Sequence, residues 1–203
     1  MRIVDLVKIE GRADKFAVKF EDDETITVST AQIADFGLYS GREMGDDEYG
    51  ELRDSLELNT SKTRALRIIG SRNYSSFEIE RRLTAKGTHA ETAHKTVEWL
   101  ETIGAVNDAE YAAMIAQHYS AKGYGTARIR DELYRRGIPR EIWDDALASI
   151  DETQDPALEY LTKKLNGSQD KTELRKAAAT LTRRGFSYSE AEDAVRKYVE
   201  GLD

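Results

Sequence analysis

The chain has 203 residues, no cysteine and a formal net charge of −8. Without cysteine there is no disulfide framework and no thiolate metal site, and no apolar run approaches the ~20 residues that a membrane span needs. The opening residues, Met1-Arg2-Ile3-Val4-Asp5, lack the apolar stretch of a signal peptide, so a cytoplasmic protein with no membrane partner is expected. The acidity is confined to one end: residues 1–60 hold 7 Lys/Arg against 15 Asp/Glu, and residues 61–203 hold 23 of each. An acidic total therefore does not exclude a nucleic-acid or nucleoprotein partner, because the distribution of charge decides what a surface attracts.

Residues 2–8, 15–20 and 24–29 read as strands. Phe16, Val18 and Phe20 alternate with Ala17 and Lys19, and Ile26 and Val28 alternate with Thr25 and Thr27. Gly11 and the run Glu21-Asp22-Asp23-Glu24 mark the turns of a small antiparallel meander. A short helix over 31–36 and a loop at Gly37 and Gly41 follow. Asp46 then caps a helix running towards Leu58, with Tyr49, Leu52 and Leu56 on one face.

From Thr60 onward the period is helical and the sequence repeats. Gly87, Gly137 and Gly185 stand 50 and 48 residues apart. Each follows a leucine by four residues (Leu83, Leu133, Leu181) and a cation by one (Lys86, Arg136, Arg184). Aliphatic residues Val97, Leu147 and Val195 lie ten residues further on, and Leu100, Ile150 and Tyr198 thirteen. A register that holds on both sides of the glycine is an internal repeat. The spacing predicts three helices per repeat: 61–71, 76–86 and 90–103; 108–121, 126–136 and 139–149; 156–165, 171–184 and 189–199. Five capping boxes support the starts: Ser75/Glu78, Thr88/Glu91, Asn107/Glu110, Asp170/Glu173 and Ser187/Glu190. Asp155-Pro156 adds a cap followed by proline at the first helical position. The glycines fit left-handed helix ends, and the cations before them complement the helix dipole, a structural role weighed slightly above partner binding.

Catalytic chemistry is missing. His89, His94 and His118 form no metal-ligand spacing, and Gly123-Tyr124-Gly125 follows a helix rather than a strand, so it is a turn and not a phosphate loop. The carboxylates offer no distinct acid/base pair. Neither an enzyme nor a cofactor or metal is expected. What remains is a set of helical cations with aromatics nearby: Arg72, Arg81, Arg82 and Lys86 beside Tyr74 and Phe77, and Lys122, Arg128, Arg130, Arg135 and Arg136 beside Tyr124 and Tyr134. These nine cations are the candidate partner-binding residues. The rings of Tyr74 and Tyr124 are expected to pack between helices.

At these residues the chain resembles the RecX family, regulators of the recombinase RecA. The run Arg72-Asn73-Tyr74-Ser75-Ser76-Phe77-Glu78-Ile79, continuing through Leu83 to Lys86-Gly87, is similar to the family's first-repeat signature. Ile103-Gly104-Ala105-Val106-Asn107-Asp108 resembles the junction between repeats. The most specific stretch is Lys122-Gly123-Tyr124-Gly125-Thr126-Ala127-Arg128-Ile129-Arg130-Asp131-Glu132-Leu133-Tyr134-Arg135-Arg136-Gly137-Ile138-Pro139. The third repeat departs from the pattern: Ala177-Ala178-Ala179 replaces charged positions, and no Glu-Leu pair precedes Arg183-Arg184-Gly185.

The expected fold is mainly α: three tandem three-helix repeats (60–107, 108–154, 155–203) in an elongated curved array, after a small β-rich α+β domain at 1–59. The resemblance implies a non-enzymatic, monomeric regulator that binds the RecA–DNA filament and limits its activity and extension, in recombination and repair. Direct phosphate contact with single- or double-stranded DNA is the alternative. The acidic domain is expected either to favour the filament over bare DNA or simply to add solubility.

Overall fold

The computed structural model describes residues 1–151 and 155–202. It contains three strands, β1 (Ile3–Lys8), β2 (Lys15–Phe20) and β3 (Thr25–Ser29). Its α-helices are α1 (Thr30–Asp35), α2 (Asp46–Ile69), α3 (Ser76–Thr84), α4 (Ala90–Thr102), α5 (Asp108–Ala121), α6 (Thr126–Arg135), α7 (Trp143–Ala148), α8 (Pro156–Leu165), α9 (Lys171–Arg183) and α10 (Tyr188–Glu200). The protein is mainly helical, with a small N-terminal sheet. Two compact units can be distinguished: Met1–Ile68 with Arg82–Glu98, and Ile69–Arg81 with Trp99–Asp203. The end of the second repeat at 152–154 and the chain end at 203, both named in the expected domain bounds, lie outside the described residues.

In the first unit the strands pair in the order β1-β2-β3, antiparallel throughout, with Val18 opposite Leu6 on one side and Ile26 on the other. The core gathers Ile3, Val18, Phe20, Ile26, Val28, Leu38, Met44 and Leu52, so the alternating residues of the sequence do turn inward. The Phe20 ring meets Tyr49 edge-on at 5.2 Å. Ser29 and Gln32 cap α1 reciprocally, a box one residue ahead of the expected start.

The expected break between a helix ending near Leu58 and a second starting at Ser61 is absent, because α2 runs unbroken for 24 residues. Thr60 and Thr63 could have capped a new helix, but their hydroxyls donate back to the Leu56 and Asn59 carbonyls at 2.9 and 3.0 Å. Neither Gly nor Pro lies in residues 51–69, across the expected break. The first half of α2 places Leu52 and Leu56 against the sheet core. The second half bonds to α4, where the buried Thr96 hydroxyl meets Ser61 Oγ at 2.8 Å.

The repeat register is structural. The Gly87, Gly137 and Gly185 N–H groups donate to the Thr84, Tyr134 and Thr182 carbonyls at 2.9, 2.9 and 3.0 Å. The N–H of the next residue reaches back to Leu83, Leu133 and Leu181 at 3.1, 3.1 and 3.2 Å. These glycines have φ of +85°, +65° and +95°, and the three leucines are fully buried. Three helix ends thus close with one left-handed motif.

In the second unit, one cluster holds Ile115, Ile129, Leu133 and Ile138, and another holds Leu161, Leu165, Leu181, Phe186 and Tyr198. The expected helix at 139–149 is divided into a 3-10 turn, Arg140–Ile142, followed by α7. Ile142 takes φ −101° and ψ 1°, and the Trp143 indole N–H donates to the Ile138 carbonyl at 3.0 Å. Of the expected caps, Ser75/Glu78 and Ser187/Glu190 are reciprocal boxes. Asn107, Asp170 and Asp155 accept first-turn N–H groups.

Candidate partner-binding surface

The nine predicted cations fall in both units: Arg82 and Lys86 in the first, and Arg72, Arg81, Lys122, Arg128, Arg130, Arg135 and Arg136 in the second. Arg81, Arg82, Lys86 and Lys122 are exposed. Four of the second unit's cations, Arg72, Arg128, Arg135 and Arg136, are joined through one buried carboxylate and one phenol.

That carboxylate is Glu132. It lies on the inner edge of α6, beside the apolar stripe of Ile129 and Leu133, and is 6% exposed. Three arginines surround it: Arg128 at 3.0 Å, Arg135 at 3.3 Å and Arg136, whose Nη1 approaches Oε2. Burial alone would push the carboxyl up. The Arg136 hydrogen bond and charge, with help from Arg128 and the Tyr119 hydroxyl, outweigh it and hold the group below the usual carboxylate range. Arg136 opposes burial in the same way, through Glu132, Tyr111 and Tyr119, and its pKa is raised. The Tyr111 hydroxyl accepts from Arg136 Nε at 3.3 Å and from Arg72 Nη1 at 3.4 Å. Arg72 also pairs with Glu78 at 3.2 Å and lies over the Tyr74 ring at 3.9 Å. One carboxylate among three guanidiniums leaves a positive surplus on this face.

Two of these arginines carry structural work that the sequence left open. The Arg136 carbonyl accepts the Ser75 hydroxyl, tying the end of α6 to the start of α3, and the Phe77 ring lies over Gly137. The same joint recurs one repeat later. Gly125 and Ala127 N–H donate to the Arg184 and Gly185 carbonyls at 3.0 and 3.1 Å, and Arg128 lies over Gly185. Arg184, outside the predicted set, closes this second joint: its Nε donates to the Gly123 carbonyl at 2.7 Å and its Nη2 to that of Lys122. Its guanidinium sits 4.3 Å from the Tyr124 ring and 4.7 Å from Tyr160. Arg184 therefore complements the C-terminal end of α5 rather than that of its own helix. Tyr124 packs as expected, between Tyr119 and Arg184.

Arg130 and Arg135 are different. Arg130 is exposed and pairs with Asp144 at 3.0 Å, an ion pair open to solvent. Arg135 keeps more than half of its side chain exposed. Between them on the outer face of α6 stands Tyr134, 67% exposed. It is absent from the predicted set, although its place next to Leu133 and four residues after Arg130 turns it away from the apolar stripe. Two cations flanking an exposed aromatic suit phosphate contact and base or side-chain stacking. Among the described residues no group of three or more His, Asp or Glu side chains could hold a metal ion, and no helix is long and apolar enough to cross a membrane.

Residues 62–100 match the family model described as RecX, first three-helix domain, and residues 107–147 match RecX, second three-helix domain. A regulatory protein RecX of Xanthomonas campestris pv. campestris is 32% identical over 140 residues, spanning 68% of this chain and 86% of that protein. The chain belongs to the RecX family. A regulatory protein RecX of Stenotrophomonas maltophilia is 33% identical over the same length and shares. In fold, the chain is similar to a crystal structure of regulatory protein RecX, with TM-score 0.76 and 20% identity over 94% of this chain and 97% of that one. It is also similar to RecX from Lactobacillus salivarius, with TM-score 0.63 and 19% identity over 71% and 97% of the two chains. RecX proteins are regulators rather than enzymes, in keeping with a surface built from ion pairs and helix joints.

Proposed function

We propose that this RecX-family chain regulates the RecA recombinase by binding the RecA–DNA filament and limiting its extension and activity, in the cytoplasm. Family membership supports the partner. The observation that carries the surface assignment is the exposed triplet Arg130, Tyr134 and Arg135 on α6, beside a cluster in which Glu132 neutralises only part of the positive charge. The proposal takes the three repeats as the modules that present these cations, with Arg72, Arg81, Arg82, Lys86 and Lys122 as further contacts. Arg128 and Arg136 act at one remove, by holding the joints that fix the surface.

This division changes which substitutions test the surface. Removing the Arg128 guanidinium also removes a partner of buried Glu132, so it mixes folding with binding. Arg130 and Arg135 are the more exposed: Arg130 pairs with solvent-open Asp144, and Arg135 is the outermost of the three arginines on Glu132, so their removal disturbs the fold less. The double variant Arg130→Ala/Arg135→Ala should bind filaments about 10-fold more weakly at low salt, with the difference shrinking as salt rises. Its circular dichroism and unfolding midpoint should match the parent's. Filament co-sedimentation that stays unchanged in the folded variant would reject the surface.

A further inference from the structure

The second and third repeats share the helix-end motif but differ on the face between their last two helices. At the 48-residue offset, Arg130, Asp131 and Tyr134 of α6 become Ala178, Ala179 and Thr182 of α9, while Asp144 of α7 becomes Glu192 of α10. In the second repeat the Arg130–Asp144 pair spans that face at 3.0 Å. In the third repeat the arginine side of the tie is an alanine, and a groove of ≈ 1150 Å³ lies between α9 and α10. Leu174, Ala178, Ala179, Ala191, Val195 and Val199 line it.

The lips of this groove carry opposite charge. Arg175 and Arg183 stand on the α9 side, eight residues or about 12 Å apart along the helix. Among the described residues neither pairs with a carboxylate at salt-bridge distance. Glu192 and Glu200 stand on the α10 side, while Arg196 is held by Asp193 at 2.7 Å. The third repeat thus presents an apolar channel between a basic and an acidic edge.

We infer that the α9–α10 groove is a docking site for an amphipathic helix of a partner protein, with an apolar stripe, an acidic edge against Arg175 and Arg183, and a basic edge against Glu192 and Glu200. Apolar side chains at i, i+3, i+4 and i+7 enter the channel, and small alanines on its floor allow close approach. The charge polarity across the groove selects against a helix with both edges of one sign. The site is independent of the filament-binding surface on α6.

The test uses the full chain and a synthetic helix of about four turns. The peptide has leucines at those four positions, glutamates along one edge and lysines along the other. Isothermal titration should show saturable binding, and amide shifts should concentrate at Ala178, Ala191 and Val195. Peptides with lysine on both edges or glutamate on both edges should bind about 10-fold more weakly, and serine in place of the leucines should abolish binding. Ala178→Glu should remove binding, and Ala179→Glu, at an exposed position, should weaken it if the first variant folds poorly. Four results overturn the proposal: no saturable binding of the mixed-edge peptide, equal affinity for all three charge patterns, full binding by both folded variants, or a concentration-dependent dimer of the chain that either variant abolishes.

Discussion

Replacing Gly125 with alanine is expected to destabilise the second unit by about 3 kcal/mol, the upper end of what overpacking costs. The φ of Gly125 is −81°, open to any residue, so the penalty comes from space alone. A Cβ there would lie 2.3 Å from the Gly185 carbonyl carbon and 2.4 Å from the Phe186 nitrogen, and backbone cannot swing aside as a side chain can. It would also strain the hydrogen bonds from Gly125 and Ala127 N–H to the Arg184 and Gly185 carbonyls. Gly87→Ala is the control. Gly87 has φ +85° but nothing within 4 Å of a Cβ, so only the conformational cost of about 1 kcal/mol applies. Chemical denaturation of the two variants beside the parent measures both. Equal losses would mean that the joint between the second and third repeats is not built on this approach.

The second large effect belongs to Glu132. Glu132→Gln keeps the shape but removes the charge that three arginines share, leaving half-buried Arg128 and Arg136 without their carboxylate. A cost of about 2 kcal/mol at neutral pH is expected, below the range for fully buried pairs because the arginines reach solvent. The carboxyl is depressed below its ordinary value of 4.5 in the folded chain, so its contribution is complete above about pH 4.5. It is lost as pH falls through the lower, folded value. The stability difference between parent and Glu132→Gln should therefore narrow on acidification below pH 4.5 and stay flat above it. A difference that is constant from neutral pH down to about 3 contradicts the assignment.

The parts of this protein that could be read from its sequence are those governed by local periodicity. Alternation in β2 and β3, the Leu-x-x-x-Gly register and the Ser75 and Ser187 boxes each depend on residues within a few positions of one another. The break expected at 59–61 failed because threonine is equally at home capping a helix and, with its hydroxyl turned back to the i−4 carbonyl as at Thr60 and Thr63, lying inside one. Only the tertiary partner, Thr96 against Ser61, separates the two cases. One consequence is practical: truncation at 59/60, which would test the acidic domain's part in selectivity, cuts α2 in the middle.

The candidate surface was half legible. Cations on α3 and α6 were visible, but whether each faces inward or outward depends on contacts 61 residues away, such as Ser75 with Arg136 and Arg184 with Gly123. In the sequence Glu132 is only one residue of a motif, and nothing local shows that three arginines converge on it. Tyr134 stands beside the candidate cations in the sequence, and its offset from Leu133 is the local signal that it faces outward.

The claim that this chain acts on the RecA–DNA filament is tested most directly by its partition between filament and bare DNA. Purified protein is sedimented with RecA filaments assembled on single-stranded DNA and, separately, with the same DNA alone at equal ionic strength. Strong co-sedimentation with the filament, weak retention by DNA alone and slowed filament extension are the expected results, in keeping with a chain whose formal charge is −8 overall. Equal or stronger retention by the bare DNA, with filament extension unaltered, would contradict the account and identify a phosphate-binding repeat protein instead.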